Sequence, residues 1–495
     1  MRRQAPKGCA ISPHLPSRYS IRETTGRRAL ELLLTGPESG AAAALIQAIW
    51  PLVPLDAFDR MALRLRDDGA LMQRVGRMFA GDFWAETALP ALQRWNADRA
   101  AGVERPATLA PERIGPERIG PERDHLAWDG FDGRLVSFAH ACNAAIRFHT
   151  RPKAGVAIVA TARSEGIYLL EWIAYHRRLG VEAFYLYTNN NDDGSDALLA
   201  ALHAAGVITW IRSEMAPGTS AQNKAYGHAL NLLLPLLEYR WAFLIDIDEF
   251  VVINPDHYAT LGDFTANQEA WGADVVGMTW TMVGSSGQTR WRDEPLTRRN
   301  THLRRDPNRH IKVMLSPRQF VQAHPHFPFA DPRRPCVFRL ASGELHRHLK
   351  QSPGAYHARA FADEATDDDA SVYHYYYKSV EEFVWKSSRN RGDWPMSPAT
   401  DFASLDAAAL TQFLAQHHSM VFTENDRLAR CAPALDEEIA ALRRLPGVGA
   451  AESEVKAQFA ARCATIQQQL LASGKLETLG ADGERLRQLL LQLGA

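Results

Sequence analysis

The stretch WAFLIDIDEF, residues 241–250, decides the fold of this chain. An almost wholly apolar run that ends abruptly in Asp246, Asp248 and Glu249 reads as a buried strand. Its carboxyl end delivers acids to the rim of an open sheet, where α/β proteins bind their ligands. Packing gives no reason for three acids there, because a buried carboxylate costs several kcal/mol unless it is paired or holds a metal. A hard divalent cation, Mn2+ or Mg2+, is a natural partner; it binds through one or two carboxylates and shares its other positions with phosphates and water. The competing reading is an acid cluster that caps the next segment or pairs with arginine.

Around this stretch, short β-branched or aromatic runs alternate with helical patterns from about residue 154 to 315, the signature of an α/β domain with a mostly parallel sheet. Strands are expected at 155–162 (GVAIVATA), 183–187 (AFYLY), 207–211 (VITWI), 241–247 (WAFLIDI) and 275–282 (VVGMTWTM). Ser164 can cap a helix bearing Ile167, Leu170, Ile173 and Ala174, and Gly180 can close it. Ser195 or Asp196 can start the next helix, which ends near Gly206, and a longer one is expected over 220–239. After the second strand comes the polar turn TNNNDDGS, on the same sheet edge as Asp246 and Asp248 if the strands are parallel. There Asn189, Asn190, Asp192 and Asp193 are either contacts to a base or ribose or plain turn and helix-cap residues.

The flanks differ in texture. Residues 1–105 form an N-terminal region, rich in Ala, Leu and Arg at helical spacing over 25–102. Residues 106–150 read as a linker containing PERIGPERIGPER (111–123), whose prolines lack the amide proton of a helix or central strand. The catalytic domain is expected over 151–395, and 396–495 return to helical spacing, in helices that pack on that domain or pair with another subunit.

Of 495 residues, 46% are hydrophobic and 23% charged, enough apolar material for a large packed core. The 56 Lys and Arg against 57 Asp and Glu give a net charge of -1, which argues against nucleic acid as the partner. Five scattered cysteines with no CxxC pair point to a reducing compartment. The most apolar region, 230–250, is cut by Asn231, Pro235, Glu238, Arg240, Asp246 and Asp248, so no transmembrane segment is expected. The basic start lacks the apolar segment of a signal peptide. The expectation is a cytoplasmic protein that meets membranes at most peripherally. GxxxxGK[ST], GxGxxG, HExxH and GxSxG are all absent, which disfavours P-loop, dinucleotide, zincin and α/β-hydrolase chemistry.

The run TARSEGIYLLEWIAYHRRLGVEAFYLYTNNNDDGS followed by LIDIDEF resembles the glycosyltransferase family 2-like and family 92-like group. VGSSG at 283–287, the Lys312 segment, the His324/His326 segment and HYYYKSVEEFVWKSSRNRG at 374–392 follow in order. The resemblance covers about half the chain and implies a GT-A type, Rossmann-like catalytic domain flanked by N- and C-terminal helical regions. It implies sugar transfer from a nucleotide donor, with a UDP-sugar expected, to a glycan or other hydroxyl acceptor. Asp246 and Asp248 would be its metal-binding acids, with His374 a further ligand. Glu165, Asn190, Asp192, Asp193, Asp246 and Lys378 would line the donor side. Ser164-Glu165 stands where the group usually has Asn-Glu.

The implied chemistry is substitution at the anomeric carbon, inverting by resemblance, with Asp293, Glu294 and Glu249 as candidate bases for the acceptor hydroxyl. A role in bacterial surface-polysaccharide assembly would suit the group. The rival readings are an inactive carbohydrate- or nucleotide-binding module and a nucleotidyltransferase, which would release pyrophosphate from a triphosphate.

Overall fold

The computed structural model describes residues 18–103, 112–120, 123–127, 134–304, 308–346, 359–366, 368–389, 402, 404–418, 422–424 and 427–494. Two compact units share the chain. The first, Met1–Val103 with Leu135–His149, is helical: α1 Arg18–Thr35, α2 Gly40–Ile49, α3 Leu55–Asp67, α4 Gly69–Met78, α5 Leu89–Ala100 and α6 Phe138–Phe148. Ser39, Asp68 and Ser137 cap α2, α4 and α6 by accepting a backbone N–H of the first turn. Phe58, Ala62, Val75, Leu92, Phe138 and Ile146 are buried, as the apolar spacing requires.

The second unit, Glu104–Arg134 with Thr150–Ala495, is built on a ten-stranded sheet. Its strands in chain order are β1 Glu112–Ile114, β2 Ala154–Ala162, β3 Ala183–Thr188, β4 Thr209–Ser213 and β5 Tyr239–Leu244. There follow β6 Glu249–Ile253, β7 Val275–Met282, β8 Ile311–Leu315, β9 Phe338–Leu340 and β10 Ala370–His374. The spatial order is β1-β4-β3-β2-β5-β8-β7-β10-β6, with β9 beside β7. Pairing is parallel from β1 through β5. Beyond that, β8 runs antiparallel to β5 and β7, and β10 runs parallel to β7 but antiparallel to β6. This is the mostly parallel α/β arrangement expected of a GT-A type domain. Along β2, Val156, Ile158 and Ala160 enter one apolar core while Ala157 and Val159 enter another, so both faces are covered.

Several expectations are corrected. The 241–247 strand stops at Leu244, because the chain turns at Asp246, whose carbonyl accepts the Glu249 N–H at 3.1 Å, and leaves as the separate strand β6. The 207–211 strand lies two residues later. The long helix expected over 220–239 ends at Asn231, since Pro235 lacks an amide proton and its segment forms a short 3-10 turn. Within the expected 106–150 linker, β1 adds to the sheet edge beside β4, and α6 belongs to the helical unit. The remainder of that stretch is described only in part. Lys224, fully buried in Ala221–Asn231, holds the β1 region by an ion pair to Asp124 at 2.6 Å and a hydrogen bond to the Gly115 carbonyl at 2.6 Å.

Helix α7, Gly166–Leu179, closes on Gly180 in the left-handed region at φ 112, as the sequence predicts. Its start is different. Ser164 does not cap it, and the Gly166 N–H is taken by the Asp193 carboxylate at 2.9 Å. The 396–495 tail does not stand apart. Its helix Val448–Ala472 packs on α7 and on α8, Ser195–Ala204, with Phe459 against Trp385 and Arg462 bonded to Asp192.

Candidate active site

The turn between β5 and β6 carries the two aspartates into different environments. Asp246 accepts Lys312 from the middle of β8 at 2.7 Å on one oxygen and the Gln222 side-chain amide at 2.9 Å on the other. Glu249 lies below, fully buried; its Oε2 accepts the Asp246 N–H at 3.0 Å and stands 3.2 Å from Lys312. Lys312 is thereby shared by two acids, and their charge raises its pKa despite burial.

Asp248 is reached from the far end of the domain. The end of β10 sets His374 Nε2 3.6 Å from its carboxylate, and the segment that follows brings Lys378 at 3.3 Å and Lys386 at 2.8 Å. Burial opposes the ionisation of Asp248, but Lys386, Lys378 and His374 override it and hold the carboxyl well below its usual range. The same burial pushes Lys378 down to about 8, only partly offset by Asp248. Tyr168 lies under Lys378 and Tyr376 under Lys386, with ammonium-to-ring distances of 4.7 and 4.5 Å.

This returning segment is held by a buried network. Glu382 caps helix α9, Val380–Ser388, through Ser379, and it accepts Arg299 at 2.8 and 2.6 Å and the Tyr168 hydroxyl at 2.8 Å. Glu165 faces the same cleft and pairs with Arg389 at 3.0 Å; burial raises its pKa while Arg389 works against that.

The structure therefore gathers Asp246, Asp248, Glu249, Glu165, Lys378 and His374, and it separates the others. Asp293 is exposed and pairs with Lys456, and Glu294 is exposed with Arg292 at 3.8 Å. Asn190 is exposed in the left-handed region at φ 48. Asp192 and Asp193 hold the turn before α7, accepting the Ser164 hydroxyl at 2.7 Å and the Gly166 N–H. Lys386, Arg389 and Gln222 were not singled out from the sequence, although Lys386 and Arg389 lie in the quoted late segment.

Asp248 Oδ1 and His374 Nε2 lie 3.6 Å apart, a carboxylate oxygen and an imidazole nitrogen, which are ligand types that a divalent cation takes. Each oxygen of Asp246 already accepts one donor, Lys312 or Gln222. Among the described residues no three His, Cys, Asp or Glu side chains converge on one point. Such a cation would take its remaining ligands from phosphate and water.

The family model for glycosyltransferase family 92 matches residues 160–390. A glycosyltransferase family 92 protein of Ricinus communis is 32% identical over 122 residues, 24% of this chain and 20% of its own. One of Oryza sativa subsp. japonica is 29% identical over 170 residues, 34% of this chain and 28% of its own. One of Arabidopsis thaliana is 24% identical over 247 residues, 47% and 39% respectively. The chain thus spans at most about two fifths of the length of these curated relatives.

Proposed function

From the premise that residues 160–390 are glycosyltransferase family 92-like, we propose that this protein moves a sugar from a nucleoside-diphosphate donor, a UDP-sugar, to a hydroxyl acceptor. The observation that carries the proposal is the meeting of buried Asp248 with Lys378, Lys386 and His374 at the strand ends. Two ammonium groups preorganised in a protected cleft stabilise the charge that develops on a departing diphosphate. Glu165 and Arg389 position the wall between that cleft and α7. Asp248 and His374 would hold Mn2+ or Mg2+, whose chemistry there is further stabilisation of the leaving diphosphate.

Inversion requires a base for the acceptor hydroxyl. Asp293 and Glu294 lie on the surface and Glu249 is sealed in the core, so none of the three is assigned that task. The acceptor is a glycan or other hydroxyl compound; the plant relatives lend no support to a bacterial surface-polysaccharide setting. No helix among the described residues is long and apolar enough to cross a membrane, and action in the cytoplasm belongs to this proposal.

Incubation with a panel of nucleotide sugars, with and without Mn2+, tests the reading. Metal-stimulated release of a nucleoside diphosphate with sugar transfer is expected. Pyrophosphate release from a triphosphate would indicate a nucleotidyltransferase, and nucleotide binding without any turnover an inactive module.

A further inference from the structure

One stripe of the helix Val448–Ala472 meets the turn 163–166 and its supports at three points. Val455, Phe459 and Arg462 follow one another at four and three residues, so they share a face. Val455 is buried against Gly166, where a Cβ would stand only 2.7 Å from Val455 Cγ1. Arg462 donates to the Asp192 carboxylate at 2.6 Å and to the Asp192 carbonyl at 3.0 Å, and Asp192 in turn accepts the Ser164 hydroxyl at 2.7 Å. Phe459 is buried against Trp385, nearly perpendicular to it, with ring centres 5.1 Å apart. The Arg389 guanidinium lies over that tryptophan at 4.3 Å and donates to the Arg163 and Ser164 carbonyls and to Glu165.

Between these contacts Ser164 holds φ at 52, in the left-handed region that a residue other than glycine seldom adopts. Such a conformation persists only where its surroundings over-determine it. The Ser164 N–H goes to the Asn191 side chain at 2.8 Å, its hydroxyl goes to Asp192, and its carbonyl accepts Arg389. Of these partners, Asp192 is held by Arg462, and Arg389 rests on the tryptophan that Phe459 supports. We propose that Phe459 and Arg462 are positioning residues for the donor side of the cleft: their helix braces Ser164 in its left-handed turn and thereby sets Glu165 and Arg389. The brace lies outside residues 160–390, so the stretch that matches the family model does not complete this site by itself. The inference rests on the reading of Glu165 and Arg389 as the donor-side wall.

Two measurements on the full chain test this in Arg462→Met, Phe459→Ala and a control, Phe264→Ala, which removes a buried ring packed on Tyr258. Hydrogen–deuterium exchange reads the peptides that contain Ser164 and Gly166, whose amides are both bonded within the turn. Exchange is expected to quicken there in the two brace variants and to keep the wild-type rate in the control. Affinity for UDP, read by isothermal titration with Mn2+ present, is expected to fall by about tenfold or more in Phe459→Ala, the kind of loss that a small misplacement far from the chemistry brings. Arg462→Met should lose less. A mere loss of folded protein would lower the number of sites and leave the affinity of the remainder in place. Unchanged exchange at the turn, or quickened exchange in all three variants, overturns the inference, as does a turn that loosens with UDP affinity intact. Should Phe459→Ala not fold, Arg462→Met, which alters a partly exposed side chain, decides alone. Failure of the transferase reading would show as no turnover of any nucleotide sugar by the wild type and would leave the difference in exchange in place.

Discussion

Lys386 sets its ammonium 2.8 Å from the Oδ2 of Asp248 across 138 residues of chain. Asp248 is buried, and Lys378 joins it from the same returning segment, so the acid is the junction between the strand end and the wall of the cleft. Its charge holds two lysines where a diphosphate would need them.

Replacement of Asp248 by Asn keeps the shape and removes that charge. Activity is expected to drop by roughly a hundredfold or more, as when a preorganised electrostatic contact is deleted. The far-UV circular dichroism spectrum should stay that of the wild type. Initial rates with the preferred nucleotide sugar check this, and full activity in Asp248→Asn would remove the acid from the mechanism.

Lys378 gives the site a pH dependence. Burial lowers its pKa to about 8, so it carries its charge below that pH and loses it above. The kcat/KM for the donor, which reports groups of the free enzyme, should therefore fall as pH rises through about 8. Lys378→Met should be slow throughout and lack this alkaline limb. A limb that persists in the variant would belong to another group.

The features legible in the sequence were those with a long-range pattern. An apolar run that ends in acids signals a buried strand meeting a cleft, and β2, β3 and β7 fall within a residue of where alternation and β-branching place them. The break at Leu244 was hidden, because Ile245 and Ile247 continue the apolar run through what is a turn. Lys312 stands alone in IKVML, and nothing local separates a solvated lysine from one held by Asp246. Turn chemistry was ambiguous for a physical reason. Asn and Asp suit ligand contact and backbone capping alike, and only the 2.9 Å bond from the Gly166 N–H places Asp193 among the caps.

That bond makes a further prediction. Asp193→Ala removes an acceptor from the first turn of α7 and should cost about 1 kcal/mol of stability, the usual penalty for a lost cap. Asp192, exposed and paired with Arg462, should cost less when changed to Ala. Chemical denaturation of both variants, alongside donor KM, tests this. A large rise in KM for Asp193→Ala without loss of stability would return that residue to the donor site.

Asp293 and Glu294 provide a negative control on the surface. Each is exposed with a basic neighbour, Lys456 or Arg292. The double variant Asp293→Asn, Glu294→Gln should keep its stability within about half a kcal/mol, as surface substitutions usually do, and its kcat near that of the wild type. A loss of a hundredfold would place an acceptor base here after all.

Glu382 links the site to acid stability. Burial alone would raise its pKa, but Arg299, Ser379 and Lys378 outweigh that and bring it from 4.5 to about 2. A carboxyl whose folded pKa lies below its unfolded one stabilises the fold above the unfolded value, and that contribution disappears as pH falls through the folded value. The contribution is about 3 kcal/mol, present above pH 4.5 and lost between 4.5 and 2. Glu382→Gln should lower the unfolding free energy at neutral pH and flatten its decline over that window, because the variant has no proton to take up there. Urea titrations from neutral to acid pH read the slope. Since Glu382 also caps the helix that carries Lys386, the same variant should lose donor affinity at neutral pH. A variant with the wild-type acid slope would transfer this titration to another carboxyl and uncouple Arg299 from the placement of the lysines.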